Sequence, residues 1–354
     1  MSARIALVLL VLLAALGGGA LLVREQAGSQ KPAASLGQPL LKDLKAAEIA
    51  AISIRTPEGA LTIRRQGERW TIAERADFPA DLDKVRDFVI KAIALKVRAS
   101  EPVGEKDRAR LKLDAGGTAV EFGAAGGKPL ARLVAGRKYF KTEPEDPAKA
   151  SGDGRYVAIA GEDKRVFLVS DPLAQASAKS ADWISRAGFA AEKVKTLEVR
   201  FAGGGGWKIE RARDNADWKL AGAGAGEKLE VTRANSAAYS LSLVELADVA
   251  PRDAKPEATG LDKPALVTAT TFDGLTYALK VGRLEGENYY AALAVSGEAK
   301  PEGKDADERL KKLNERLPRE KALAEHTLLI PKSKLEDTLQ KREDLLQRKD
   351  SAKK

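Results

Sequence analysis

Two stretches of the chain share one pattern of apolar and polar positions. In the first, Ile49, Ile52 and Ile54 begin a strand in which Ile52 and Ile54 fall on one face and Ser53 and Arg55 on the other, the two-residue period of a half-buried strand. Thr56-Pro57-Glu58-Gly59 is a turn signal, because proline presets φ and glycine accepts positive φ. Leu61 and Ile63 alternate with Thr62 and Arg64, Gln66-Gly67-Glu68 turns the chain again, and Trp70-Thr71-Ile72 forms a third strand. The pattern predicts an antiparallel meander. After Phe78-Pro79-Ala80-Asp81 the period changes. Val85, Phe88, Val89, Ala92, Ile93 and Val97 follow helical spacing, which predicts one apolar stripe packed on the meander. Asp81 is the expected N-cap, and Asp83 suits the first turn of the helix dipole.

Residues 98–107 read as a polar connection ahead of the turn at Leu113-Asp114. Strands follow over 119–122, 131–135, 156–160 and 166–169, with a long surface loop over 141–154. Short helices over 172–178 and 182–186 join this stretch to the next. The second stretch repeats the landmarks at a nearly constant distance along the chain. Val194, Leu197, Val199 and Arg200 follow Ile49, Ile52, Ile54 and Arg55. Trp218 follows Trp70, Tyr239 follows Phe88, Leu261-Asp262 follows Leu113-Asp114, and Gly282 follows Gly136. Tyr156 and Tyr290 are a further matching pair, at a shorter offset. A constant offset across different element types predicts an internal duplication. The fold class is therefore α+β: two tandem repeats, each a mainly antiparallel sheet with a packed amphipathic helix.

The second stretch carries a charged insertion over 296–325, with a solvated helix over 307–317. Ser333 and Glu336 have capping-box spacing, and Leu335, Leu339 and Leu346 form a thin apolar seam. This predicts a C-terminal helix docked on the second domain, with a partner-binding helix as the alternative.

The N-terminal pattern is of another kind. Residues 5–23 carry no charge and are bracketed by Arg4 and Arg24. As a helix they would rise about 28 Å, close to the hydrocarbon thickness of a bilayer. The expectation is one transmembrane signal anchor, with a cleaved signal peptide as the alternative. Residues 1–4 would be a cytoplasmic tip and 24–40 a linker. The first repeat would span 41–187, the second 188–333, and the C-terminal helix with its basic tail 334–354. The expected location is the bacterial inner membrane, single-pass, with the body in the periplasm.

Composition changes this picture little. The net charge of +9 comes from 60 basic against 51 acidic residues, interleaved throughout, so nucleic-acid binding is not expected. With no cysteine, disulfides, thiolate catalysis and Cys-ligated zinc are excluded. Gly222-Ala223-Gly224-Ala225-Gly226 suggests a phosphate loop, but the helix that should start at once is delayed by residues 227–231. Gly203 to Gly206 reads as a hairpin turn. His326, the single histidine, has a structural reading. Asp77, Asp81 and Asp83 do not match a calcium loop and read as capping groups. Glu143, Glu145 and Asp146 read as loop solvation. No catalytic, cofactor-binding or metal-binding residue is expected, and no cofactor.

Trp70, Pro79-Ala80-Asp81 and Gly260-Leu261-Asp262-Lys263-Pro264 together resemble motifs of an uncharacterised bacterial, membrane-anchored domain family of unknown function. Its members are often encoded beside ABC-type transporter permeases and auxiliary components of the gliding-motility type. The resemblance covers nearly the whole chain after the anchor, although Leu113-Asp114 lacks the Lys-Pro that follows Leu261-Asp262. It implies a non-enzymatic, extracytoplasmic accessory or scaffold protein of an ABC-type envelope system. The implied partners are the inner membrane, through residues 5–23, and a permease or auxiliary subunit. An envelope glycan- or lipid-binding module using a cleft between the repeats is the alternative, and a carboxylate-based hydrolase the weaker one.

Overall fold

The structure, a computed structural model, describes residues 36–150 and 152–347. The expected anchor at 5–23, the tip, the first part of the linker and the basic tail lie outside the described residues. Among the described residues no helix is long and apolar enough to cross a membrane.

The first half contains β1 (Ala51–Thr56), β2 (Gly59–Gln66), β3 (Arg69–Ile72), β4 (Phe78–Pro79), helix α1 (Leu82–Ile93) and β5 (Val97–Pro102). Helix α2 (Glu105–Arg110), β6 (Thr118–Gly123), β7 (Pro129–Tyr139), β8 (Gly154–Ile159) and β9 (Arg165–Val169) follow. A short β10 (Ala187–Phe189) leads to β11 (Val194–Arg200), β12 (Gly206–Glu210), β13 (Lys219–Leu220) and helix α3 (Val231–Tyr239). The second half continues with β14 (Val244–Glu245), β15 (Asp248–Val249), α4 (Pro256–Thr259), β16 (Ala265–Thr271), β17 (Leu275–Glu285) and β18 (Asn288–Gly297). It ends with α5 (Ala306–Ala322), β19 (Leu328–Pro331) and α6 (Lys332–Leu335).

These elements fall into two compact units. One gathers Val89–Gly117 and Ala131–Ala174 with the described residues up to Ala47, and its strands run β7-β8-β9-β5. The other gathers Glu48–Phe88, Thr118–Leu130 and the described residues from Gln175 onward. Its strands run β4-β3-β2-β1-β6 and, separately, β13-β12-β11-β16-β17-β18-β19-β15. The order β3-β2-β1-β6 of the first half thus has the same form as β13-β12-β11-β16 of the second. The order β7-β8-β9-β5 likewise has the form of β17-β18-β19-β15.

The meander forms because its register puts like residues together. Ile52 faces Ile63 and Ile54 faces Leu61 across β1 and β2, and all four are buried. Asp81 caps α1: its Oδ1 accepts from the backbone N–H of Asp83 at 3.1 Å and of Lys84 at 3.3 Å. The helix buries Val85, Phe88, Val89 and Ala92. Phe88 stacks on Phe122 and meets Trp183 edge-on at 5.3 Å.

A glycine plays the same part in each half. A Cβ on Gly136 of β7 would lie 2.2 Å from the carbonyl oxygen of Leu111, just after α2. A Cβ on Gly282 of β17 would lie 2.2 Å from the carbonyl oxygen of Thr259, at the end of α4. Only a residue without a side chain lets either strand approach its helix so closely.

Several elements differ from the sequence pattern. Helix α1 ends at Ile93, and Val97 begins β5, so the polar connection over 98–107 contains a strand and the start of α2. Strand β5 ends its sheet order and fully buries only Val97, so Arg98, Ser100 and Glu101 leave no alternation to detect. The helices expected over 172–178 and 182–186 do not form. Ser180–Asp182 makes one 3-10 turn, and Ile184 then bridges to Ala80 as extended chain.

The helix in the charged insertion is docked, not solvated. Leu313, Leu317 and Glu320 of α5 are buried. Arg309 pairs with the buried Asp273 at 3.2 Å, and Arg316 pairs with Glu192 at 2.8 Å. The buried Glu320 carboxylate accepts from the Ala190 N–H at 3.0 Å and from the Tyr277 hydroxyl at 2.9 Å. The Arg316 Nε lies 3.1 Å from the same carboxylate. Burial pushes both the Glu320 carboxyl and the Tyr277 hydroxyl up from their ordinary values.

The C-terminal segment docks on the second half, but not as the expected helix: α6 ends at Leu335, and Arg342–Leu345 makes a 3-10 turn. Leu335, Thr338 and Leu345 are buried, whereas Leu339 and Leu346 are half-buried. Helix α6 starts from Pro331 without a side-chain cap, so Ser333 and Glu336 form no capping box. The segment is held instead by Trp207 Nε1 donating to the Gln340 carbonyl at 2.7 Å and by Thr338 Oγ1 donating to the Ala237 carbonyl at 2.9 Å. Because the Trp207 ring is itself buried, replacing Trp207 by Phe should free the segment without a large cavity. Limited proteolysis after residue 331 is the measurement, and faster cleavage in the variant is the expected result.

Candidate binding groove

Helix α3 has two unlike faces. Ala234, Ala237 and Ala238 are buried, with Leu241 just beyond the helix, and their spacing reproduces Val85, Phe88, Val89 and Ala92 of α1. Ala237 thus holds the buried position in α3 that Phe88 holds in α1, and Tyr239, matched to Phe88 in the sequence pattern, does not. The caps agree with this assignment, since Glu230 accepts from the Thr232 N–H as Asp81 does in α1. In this register Tyr239 corresponds to Ile90, on the outer face. Its side chain is 78% exposed, while Phe88 is 1% exposed.

The second face carries Thr232, Asn235, Ser236 and Tyr239. This stripe lines a groove of about 450 Å³. The opposite side is formed by Ala191, Lys193 and Val194, with Arg211 and Trp218 as the rigid part. Trp218 is buried and donates its Nε1 to the Asn235 Oδ1 at 2.9 Å, which fixes that amide. Arg211 lies 4.6 Å above the Trp218 ring and 5.8 Å from Phe272. Its Nε donates to the Val194 carbonyl at 2.7 Å, and its Nη atoms donate to the Asp214 carbonyl and carboxylate. Burial lowers the Arg211 guanidinium from its ordinary value, and Asp214 opposes that shift.

Lys193 sits in the left-handed region at φ 49, an uncommon place for a side chain of that length. Its Nζ is 4.0 Å from the Asp214 carboxylate, at the outer limit of an ion pair. The groove lining thus holds two cationic side chains and no carboxylate. Such an arrangement can hold a polar ligand by hydroxyl, amide and ammonium donors.

The candidates drawn from sequence lie elsewhere. The glycines of 222–226 form a turn whose Gly224 N–H is taken by the Glu227 carboxylate at 2.8 Å, and Arg342 clamps Glu227 at 2.7 Å. That N–H and then Arg342 hold the Glu227 carboxyl below its ordinary value. The loop is occupied by the chain's own carboxylate, in keeping with its reading as a connection. Gly203 to Gly206 form the hairpin turn between β11 and β12. Asp81 is a cap as expected, whereas Asp77 grips Arg64 at 2.7 Å and Arg252 at 3.4 Å. Asp146 closes its own turn on the N–H groups of Ala148 and Lys149. Among the described residues no three His, Asp or Glu side chains come together as a metal site would require.

His326 packs edge-on against Phe78 at 5.0 Å, and its Nδ1 is buried without a hydrogen-bond partner. Burial lowers its pKa, Arg252 adds to that, and Glu325 and Asp77 oppose it. The folded protein therefore binds this proton less readily than the unfolded chain. Stability from the site is complete above the unfolded value of about 6.5 and is lost as pH falls from there through the lower folded value. Replacing His326 by Gln should flatten the decline in melting temperature between about pH 7.5 and pH 5. Thermal melts across that window test this, and an unchanged slope contradicts it.

A family model described as Domain of unknown function (DUF4340) matches residues 70–264. The chain belongs to this family. The matched segment opens at Trp70 and closes at Pro264, so it includes α1, α3 and every groove residue named above. No curated protein and no solved structure matches the chain. The groove escaped sequence reasoning although a signal was present: three alanines at the buried positions of α3, with Thr232, Asn235, Ser236 and Tyr239 at helical spacing beside them.

Proposed function

We propose that this family member is a non-enzymatic, extracytoplasmic accessory protein of a bacterial ABC-type envelope transport system. It is tethered to the inner membrane through residues 5–23 and built from two copies of one α+β unit. The two halves use one strand order, one acidic helix cap and one glycine-to-helix contact, at Gly136 and Gly282. These shared features support the duplication. The observation that carries the binding role is how the halves differ. Val85, Phe88 and Val89 are replaced by Ala234, Ala237 and Ala238, and beside those alanines lies a groove with a fixed polar floor.

In this reading one copy serves as scaffold and the other as receptor. The transporter link rests on the motifs that carry the family resemblance, and the groove supplies the reason such a component would be retained: it presents or senses a ligand for a partner that moves it. Purification of the full chain in mild detergent tests the link. Recovery of an ABC-type permease or auxiliary subunit in stoichiometric amount is the expected result, and recovery of no envelope subunit contradicts it.

A further inference from the structure

We infer that the groove on α3 binds a short acidic saccharide; this names a ligand for the binding role proposed above and rests on it. Three features select the class. The helix side offers Thr232, Asn235 and Ser236, groups that pair with sugar hydroxyls. Asn235 has its Oδ1 fixed by the Trp218 Nε1, so its Nδ2 is the end available as a donor. Preorganised amide donors of this kind lose little entropy on binding.

The second feature is Tyr239. Its ring stands 78% exposed at the mouth of the groove, held on a helix whose buried face is anchored by alanines. An amphipathic ring at the edge of a groove of mixed polar and apolar lining suits the apolar face of a pyranose, while its hydroxyl reaches water or the sugar. A lipid chain or an apolar helix would leave the hydroxyl and amide groups of Thr232, Asn235 and Ser236 unpaired, whereas a sugar uses both these and the apolar part of the lining.

The third feature is charge. Arg211 has its Nε and both Nη atoms engaged by Val194 and Asp214, so it forms part of the wall. Lys193 lies 4.0 Å from Asp214 and is one-third exposed, so its ammonium is only loosely committed. The lining itself holds no carboxylate, and a ligand carboxylate placed beside Lys193 competes with Asp214 for its loosely held ammonium. The volume of about 450 Å³ lies within the range of small-ligand sites and admits about two sugar rings.

The test is saturation-transfer NMR and titration on the full chain with three probes. These are a disaccharide carrying a uronic acid, the same disaccharide with that acid reduced to the alcohol, and inorganic phosphate. The acidic disaccharide should bind, and Tyr239→Ala should weaken it about tenfold or more. Lys193→Asn, chosen because asparagine tolerates positive φ, should lower its affinity to that of the neutral sugar and leave the neutral sugar unchanged. Melting temperatures should match the parent, since neither side chain is buried. Absence of binding by the acidic disaccharide overturns the inference. So does equal affinity for both sugars, or full displacement by phosphate at equal concentration, which marks a plain anion site. Co-purification with Tyr239→Ala separates the two readings: lost saccharide binding with a transporter subunit still recovered supports the saccharide site apart from the transporter link, and unchanged saccharide binding overturns the inference.

Discussion

Replacing Glu320 by Ala should destabilise the second half by about 3–5 kcal/mol, the cost of removing one partner from a buried charged pair. The carboxylate has no exposed surface, accepts from the Ala190 N–H and the Tyr277 hydroxyl, and lies 3.1 Å from the Arg316 guanidinium. Alanine strands both donors and leaves Arg316 only its pair with Glu192. Glutamine should cost less, because its carbonyl still accepts from Ala190 or Tyr277 and Arg316 keeps Glu192 as its counter-ion. Urea unfolding measures the effect. A lower midpoint with an unchanged slope, ordered parent, Gln, Ala, is expected. An Ala variant within about 0.5 kcal/mol of the parent contradicts the assignment, because that is the range of an ordinary surface substitution.

Replacing Gly282 by Ala should cost about 3 kcal/mol, at the upper end of overpacking penalties. The added Cβ would fall 2.2 Å from the Thr259 oxygen and 3.2 Å from two backbone carbons, one of Thr259 and one of Gly260. These are backbone atoms, so no rotamer change relieves the contact. Either β17 shifts from its register with β16 or α4 is lifted. Gly136→Ala should act in the same way on β7 and the carbonyl of Leu111. Both variants are read by thermal melts. Tolerance of alanine at either position would mean that the close approach is not required for folding.

Much of this fold was legible because its strands are buried on one face. Ile52, Ile54, Leu61 and Ile63 alternate with polar residues, and Asp81 announces the helix that follows. What was hidden was hidden for physical reasons. Strand β5 ends its sheet order with one fully buried residue, so its pattern is that of a loop. Helix α5 is anchored largely through Asp273, Glu192 and Glu320, and a helix held by charges looks solvated when read for hydrophobic period. The groove depends on small residues. Ala234, Ala237 and Ala238 give a weaker apolar signal than Val85, Phe88 and Val89, which let the alignment drift to the aromatic Tyr239. The candidates visible in sequence proved to be joints: Asp77 links arginines, and Glu227 fills the glycine turn.

The central claim is that the chain serves a membrane transport partner as a tethered, non-catalytic binding component. Chemical crosslinking in whole cells, with mass-spectrometric identification of the linked peptides, tests it most directly. The account predicts links from the body of the protein to the extracytoplasmic face of an ABC-type permease or its auxiliary subunit, recovered above background. Links confined to cytosolic proteins, or to no partner at all at native expression, would contradict it.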